Sequence, residues 1–305
     1  MGRGGGGTRA GLGVGEGGGA LDGLNSPLAR ERGRGLIWGV MAMCFRILGS
    51  GSAGNCAVLR TEQARVLIDA GFAQRKLRQL LHEVGESLER IDAVFLTHEH
   101  GDHAAGIEGL KKFPHIAVFA NAATARAVQA KLDHKVDWRL FETGARFTYR
   151  DLEIESFHVP HDAQEPVGFT FSHGYEGDLL APRRRLAWLT DLGHAPQHLQ
   201  ERIRDVDVLV VESNHCPRLL DADMKRPWPT KQRIAGRHGH LSNEQMRELL
   251  EAVASSRWRE VFFIHLSGDC NSAPALEAAL VGLRSRLRCQ FHIVAAGGGS
   301  GLCQL

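Results

Sequence analysis

The segment Thr97-His98-Glu99-His100-Gly101-Asp102-His103 places three histidines and an aspartate within six residues, directly after the apolar run Ile91-Asp92-Ala93-Val94-Phe95-Leu96. Imidazoles and carboxylates are the donor types that bind zinc, manganese or iron. A β-strand feeding such a loop fixes the donors while leaving their heads free at a sheet edge. A histidine-rich turn can also be an incidental surface cluster. Here the chain repeats the arrangement downstream, which argues for a centre the whole fold must converge on.

The further donors come in order. His161 follows the strand-like stretch Ile154-Glu155-Ser156-Phe157-His158-Val159, Asp191 ends Leu186-Ala187-Trp188-Leu189-Thr190-Asp191, and His265 ends Val261-Phe262-Phe263-Ile264-His265. Short apolar runs closed by turn residues suit buried strands. Four separate strand ends therefore each deliver a metal-type donor.

HxHxDH, then a lone His, an Asp and a last His at a strand end resembles the metallo-β-lactamase-fold hydrolases, from about Cys44 to the C-terminus. GSGSAGN at 49–55, LIDAG at 67–71, PHDAQEP at 160–166, TDLGH at 190–194, ESNH at 212–215, GHLSN at 239–243 and HLS at 265–267 narrow the likeness. Together they look like the YycJ/WalJ-type branch, whose members are regarded as DNA-processing exonucleases. HxHxDH points to the superfamily, and the later phrases point to the branch.

The resemblance implies an α/β fold, an αββα sandwich of two mixed sheets with helices outside. Length alone suggests about two domains, but one sandwich of two similar βαβ-rich halves fits equally. The hydrophobic fraction of 43% is ample for a packed core. No apolar run approaches the roughly 18 residues that span a bilayer, so a protein not embedded in a membrane is expected. Net charge is +2, too near neutral to imply nucleic acid from bulk charge, so any such partner must be held by a local patch. The six cysteines (44, 56, 216, 270, 289, 303) show no CxxC, which suits reduced thiols and a cytoplasmic location. Cys216 and Cys270 lie near the site loops as metal neighbours or, more simply, as packed thiols.

Residues 1–42 are different material, rich in Gly with scattered Arg, and are expected to form a disordered tail ahead of a hydrolase domain at 43–305. They lack the apolar core of a signal peptide. Met41 or Met43 is the expected biological start, and a flexible Arg/Gly nucleic-acid arm is the alternative.

Strands are expected near 44–48, 56–60 and 65–69, with a tight hairpin turn at 49–55 that lacks the lysine of a P-loop. Leu77, Leu80, Leu81 and Val84 fall at i, i+3, i+4 and i+7, the spacing of an amphipathic helix. Residues 104–112 and 121–131 read as helices, and 141–180 as short strands and turns. Ser242-Asn243-Glu244-Gln245 is a capping box that starts a helix with Met246, Leu249, Leu250 and Val253 on one face. Arg183-Arg184-Arg185 reads as a surface turn.

By resemblance, His98, His100 and His161 would hold one divalent metal ion (zinc, manganese or iron), Asp102, His103 and His265 a second, and Asp191 would bridge both. Two such ions activate a water and stabilise attacking and leaving oxygens. The implied reaction is attack of metal-bound hydroxide on phosphorus, with Asp102 orienting the nucleophile and His240 assisting the leaving group as general acid. Asp69 is placed to fix a ligand imidazole or, alternatively, to cap the turn at Gly71. Arg226, Lys231, Arg233 and Arg237, just ahead of His240, suit phosphate contact or a solvated loop. His194 and His215 follow two further strand ends and either line the cleft or pack. Strand alternation points His158 away from His161.

The expected activity is a metal-dependent phosphodiester hydrolase, a DNA exonuclease working from a 5′ end, with DNA as partner and neither a membrane nor an organic cofactor. The alternatives are a small cyclic or nucleotide phosphodiesterase, a glyoxalase II-like thioester hydrolase, and a non-enzymatic metal-binding protein. A closed structural site needs only four ligands, against seven here.

Overall fold

A computed structural model of the chain describes residues 1–2, 43–179 and 182–305. The expected tail falls almost wholly outside the described residues.

The first sheet is built from β1 (Cys44–Gly49), β2 (Cys56–Arg60), β3 (Arg65–Ile68), β4 (Ala93–Phe95), β5 (Ala117–Ala120) and β6 (Trp138–Leu140). The second holds β7 (Arg146–Tyr149), β8 (Leu152–His158), β9 (Val167–His173), β10 (Arg184–Leu189), β11 (Val208–Glu212), β12 (Glu260–Ile264) and β13 (Gln290–Ile293). The C-terminal β14 (Cys303–Gln304) returns to pair with β1, giving the orders β14-β1-β2-β3-β4-β5-β6 and β13-β12-β11-β10-β9-β8-β7. Each sheet is antiparallel up to β3 or β10 and parallel beyond it.

Helices α1 (Gln74–Glu83), α2 (Gly101–Ala104) and α3 (Ala122–Gln129) belong to the first half. The second carries α4 (Gln197–Arg204), α5 (Pro217–Ala222), α6 (Trp228–Ile234), α7 (Asn243–Val253), α8 (Ala273–Leu280) and α9 (Leu283–Arg286).

Period-two alternation sorts the side chains into layers. Along β10, β11 and β12, Leu186, Trp188, Val208, Val210, Phe262 and Ile264 turn inward to meet Phe45, Leu59 and Phe95 of the other sheet. Their neighbours Ala187, Leu189, Leu209, Val211, Val261 and Phe263 face outward, onto Leu199 of α4, Met246 and Leu250 of α7, and Leu276 of α8. Val58, Leu67 and Val94 likewise pack on Leu77 and Leu81 of α1. The result is the expected αββα layering. Aromatic contacts such as Phe45 on Phe262, 5.1 Å between ring centres, join the two sheets, and each fully buried Phe contributes about 1.5–3 kcal/mol.

Several local expectations hold. The capping box forms at Ser242 and Gln245, and α1 buries Leu77 and Leu81 before ending just short of Val84. Residues 105–112 are helical as well, in a 3₁₀ helix where a Cβ on Gly106 would lie 2.6 Å from the Phe72 carbonyl oxygen. Others differ. The middle region contains two seven-residue strands, β8 and β9, longer than the short strands expected. Arg184 and Arg185 open β10 instead of a turn, because Asp207 accepts from the Arg184 guanidinium at 3.2 Å and from the Arg185 amide at 2.8 Å. No helix among the described residues is long and apolar enough to cross a membrane.

Candidate metal centre

Ligands of open α/β sheets collect beyond the carboxyl ends of the strands. Both sheets switch from antiparallel to parallel at β3 and β10, and the polar groups gather just past these strands and their neighbours. After β4, His98 and His100 sit in a loop, and Asp102 and His103 lie on α2. Gly71 is obligatory there, since a Cβ would stand 1.7 Å from the Asp102 carbonyl oxygen.

Three residues just past strands take left-handed backbone: Asp69 (φ 59°), Asp191 (φ 53°) and His265 (φ 57°). This conformation is uncommon outside glycine and is kept only where its surroundings enforce it. Each has such surroundings. Thr97 donates to Asp69 from its amide at 2.8 Å and from its hydroxyl at 2.9 Å. Thr190 Oγ1 donates to Asp191 Oδ2 at 2.6 Å. The His265 amide donates to Ser50 Oγ at 2.8 Å, and Asn214 Nδ2 to the His265 carbonyl at 2.9 Å.

Hydrogen bonds at one ring nitrogen fix which nitrogen each imidazole presents. His103 Nδ1 donates to Asp69 Oδ2 at 2.7 Å, turning Nε2 towards Asp191 Oδ2 at 3.0 Å and Asp102 Oδ2 at 3.4 Å. His161 Nδ1 donates to the Gly239 carbonyl at 2.9 Å, leaving Nε2 3.3 Å from His100 Nδ1. The Thr97 hydroxyl, already donating to Asp69, accepts from His98 Nδ1 at 3.0 Å. That leaves His98 Nε2 buried with no partner at all. A buried acceptor without a partner is costly, so this atom calls for a ligand.

His98, His100 and His161 form one set whose donor atoms all lie within 4.8 Å of one another, and Asp102, His103 and His265 form another. Asp191 reaches both, with Oδ2 3.4 Å from His265 Nδ1 and Oδ1 3.9 Å from His161 Nε2. Burial, reinforced by the neighbouring His103, pushes the His98 imidazole well below its ordinary value and so favours the neutral ring a metal requires. Burial would raise the Asp191 carboxyl, but His265 and His103 hold it well below the usual carboxylate range.

His240 lies beside the cluster, its ring 5.1 Å from His161 and 5.3 Å from His265. Its Nδ1 donates to Glu212 Oε1 at 2.7 Å. Burial works against a charge there, but Glu212 prevails and pushes the imidazole up to about 9. Glu212 is fully buried at the end of β11, its second oxygen accepting from the amides of Leu192 and Leu241. The sequence alone assigned Glu212 no role, and its one signal was its place at the head of ESNH, 212–215. Asn55, at the end of the Gly/Ser loop, was hidden too. Its Nδ2 lies 3.2 Å from Asp102 Oδ2 and 3.0 Å from His103 Nε2.

The basic residues expected to contact phosphate or to lie in a solvated loop are divided by helix α6. Arg226 and Arg233 line a cavity of about 200 Å³ together with His240 and His265. Arg226 is paired with Asp223 and Asp269, and Arg233 with Asp162. Lys231 lies on the other face of α6, in a second cavity. Arg237 is exposed, its guanidinium 3.3 Å from His194 Nε2 and its carbonyl accepting from His194 Nδ1 at 2.9 Å. The metal-type donor clusters among the described residues include no cysteine, and Cys216 and Cys270 are buried thiols.

Two sheets with this switch, and a histidine–aspartate centre at their carboxyl ends, define a metallo-β-lactamase-type hydrolase. The β-lactamase superfamily domain matches residues 64–266. Over 231 residues the chain is 34% identical to exodeoxyribonuclease WalJ of Streptococcus pneumoniae, covering 74% of this chain and 82% of that one. Over 233 residues it is 31% identical to exodeoxyribonuclease YycJ of Bacillus anthracis, covering 76% and 85%. The metallo-β-lactamase-fold protein YhfI of Bacillus subtilis superimposes with a TM-score of 0.63 at 16% identity, over 87% of this chain and all of that one. The chain belongs to the metallo-β-lactamase-fold hydrolases, in the branch that contains WalJ and YycJ.

Proposed function

We propose that the protein is a metal-dependent exodeoxyribonuclease that removes nucleotides from a 5′ end of DNA, using two divalent ions of zinc, manganese or iron. The observation that carries the metal reading is the orphaned, buried His98 Nε2 inside a set of converging donors. The DNA reading rests on relatives that cover most of both chains and are exodeoxyribonucleases.

His98, His100 and His161 would hold one ion, Asp102, His103 and His265 the other, with Asp191 shared between them. When bound, such a pair supplies Lewis-acid polarisation of the phosphoryl oxygens and lowers the pKa of water towards neutrality. Every other part of the chemistry falls to side chains. Asp102, the most exposed carboxylate of the set, accepts a hydrogen bond from the attacking water and aims it at phosphorus. Asp69 keeps His103 in the tautomer that presents Nε2. His240 has Nδ1 committed to Glu212, so the proton it can give is on Nε2, and it passes that proton to the leaving oxygen. Arg226 and Arg233 steady the phosphates on the cavity wall, and Arg237 meets the strand further out. The free cysteines suit a reducing cytoplasm.

The test is to incubate metal-loaded protein with end-labelled single- and double-stranded DNA, RNA and S-lactoylglutathione. Mononucleotide release from a 5′ end of DNA is expected. Cleavage confined to the thioester, or to RNA, would refute the DNA assignment.

A further inference from the structure

The second cavity lies back to back with the site across helix α6. Trp228, Lys231, Gln232 and Ala235 follow one another at i, i+3, i+4 and i+7 and line this cavity, whereas Thr230, Arg233 and Ile234 line the site cavity. The strand end after β11 is shared in the same way, with Asn214 on the site side and His215 on the other.

Its volume, about 370 Å³, is in the range of small-ligand pockets. The walls combine apolar surface from Pro217, Leu220 and Ala235 with a few polar groups. Trp228 is 62% exposed at the first turn of α6, so an indole face is open to a planar partner. Among the described residues, Leu219, Met224 and Trp228 put three exposed large apolar side chains within ten positions. His215 is 2% exposed, and its Nδ1 is buried without a hydrogen-bond partner although it lines the cavity. Burial pushes this imidazole down to about 4, so it is neutral at physiological pH. Lys231 is held across the cavity by the Asp221 carbonyl, at 2.5 Å.

An aromatic face, a cation beside it and an unsatisfied polar atom deeper in is the chemistry of a stacked, edge-bonded nucleobase. Opposite faces of one helix are separated by about 10 Å, which a strand covers in roughly three stacked nucleotides at about 3.4 Å each. We propose that this cavity receives a base of the DNA strand, stacked on Trp228 and bonded at its edge by His215, a few nucleotides from the bond being cut. This rests on the DNA reading of the metal site and adds a subsite that sets the register of the strand.

The test uses metal-loaded protein and single-stranded oligonucleotides with phosphorothioate links that resist cleavage. One abasic nucleotide is moved stepwise along the strand, and affinity is read by fluorescence anisotropy. At one register the abasic nucleotide is expected to weaken binding by about 5- to 150-fold, the range of one base–aromatic stack. Trp228→Ala should weaken binding of the intact strand by a similar factor and feel no additional weakening at that register, because both changes remove the same stack. Trp228→Phe should recover most of the affinity. Unchanged melting temperatures would show that the variants fold. Multiplying penalties, or wild-type affinity in Trp228→Ala, would overturn the pocket assignment while leaving the nuclease reading intact. Wild-type protein that neither binds nor cleaves any DNA would overturn both.

Discussion

The two sheets follow one plan and use it for different ends. In each, the chain leaves the first strand of the parallel series, β3 or β10, through an aspartate in left-handed backbone, braced by a threonine hydroxyl. Asp69 and Asp191 are both almost completely buried. Burial raises the Asp69 carboxyl, with His103 only partly offsetting it, whereas at Asp191 the surrounding imidazoles prevail and the carboxyl is held well down. The lesson is that backbone position prepares a carboxylate, and its neighbours decide what it does. Asp69 touches one imidazole from behind, while Asp191 lies among four rings in front.

Substitution at the equivalent positions should separate the two halves. Asp191→Asn is expected to have the largest effect, abolishing turnover on every phosphodiester and lowering the metal content per chain, since it removes the carboxylate that both proposed ligand sets would share. Elemental analysis beside activity assays checks this. Full metal content with preserved turnover would remove Asp191 from the centre.

His240→Ala comes next. The proposed metal ligands remain, so metal content should be unchanged, and cleavage of natural DNA should slow by roughly 10²–10⁴-fold, the scale of acid–base assistance. An aryl phosphodiester with an activated leaving group needs little protonation and should lose much less. Equal losses on the two substrates would mean that His240 positions substrate rather than donating a proton.

Asp69→Asn is expected to cost roughly 10–100-fold in metal affinity or activity, as for other residues that orient a ligand imidazole. An asparagine oxygen can still accept from His103 Nδ1, but one of the two acceptors shared with Thr97 is replaced by a donor. Metal titration of this variant against Asp191→Asn measures the comparison directly, and equal losses would erase the distinction between the halves.

What could be read from the sequence follows the same division between local and long-range. HxHxDH was legible because its four donors sit within six residues, and the strand ends at Asp191 and His265 were legible as closed apolar runs. Glu212 was not, because its role arises only when the end of β11 meets His240, 28 positions later. Asn55 was hidden in the same way, 47 positions from Asp102. Asp69 was open between bracing an imidazole and capping a turn, and nothing local predicts its contact with His103. The basic residues from 226 to 237 stood open between phosphate contact and a solvated loop, because their division between two faces arises only once residues 228–234 form a helix. That helix decides which of them face the site, and its far face carries the second cavity.

The smallest effect is expected outside both halves. Every proposed metal donor, and every strand of the two sheets, lies within residues 43–305. Residues 1–40 fall almost wholly outside the described residues, and their sequence, Gly-rich with few large apolar groups before Leu36-Ile37-Trp38, is expected to add nothing to the packed core. Deleting them should therefore leave the melting temperature and turnover on a short oligonucleotide unchanged within error. A melting temperature several degrees lower would mean that the segment packs on the folded part. Their arginines leave one separate question, answered with long DNA over a series of salt concentrations. If the segment neutralises phosphates, its removal weakens binding and flattens the salt dependence by about 0.7–0.9 for each phosphate no longer neutralised. If affinity and slope both stay unchanged, the two sheets account for all of the DNA binding.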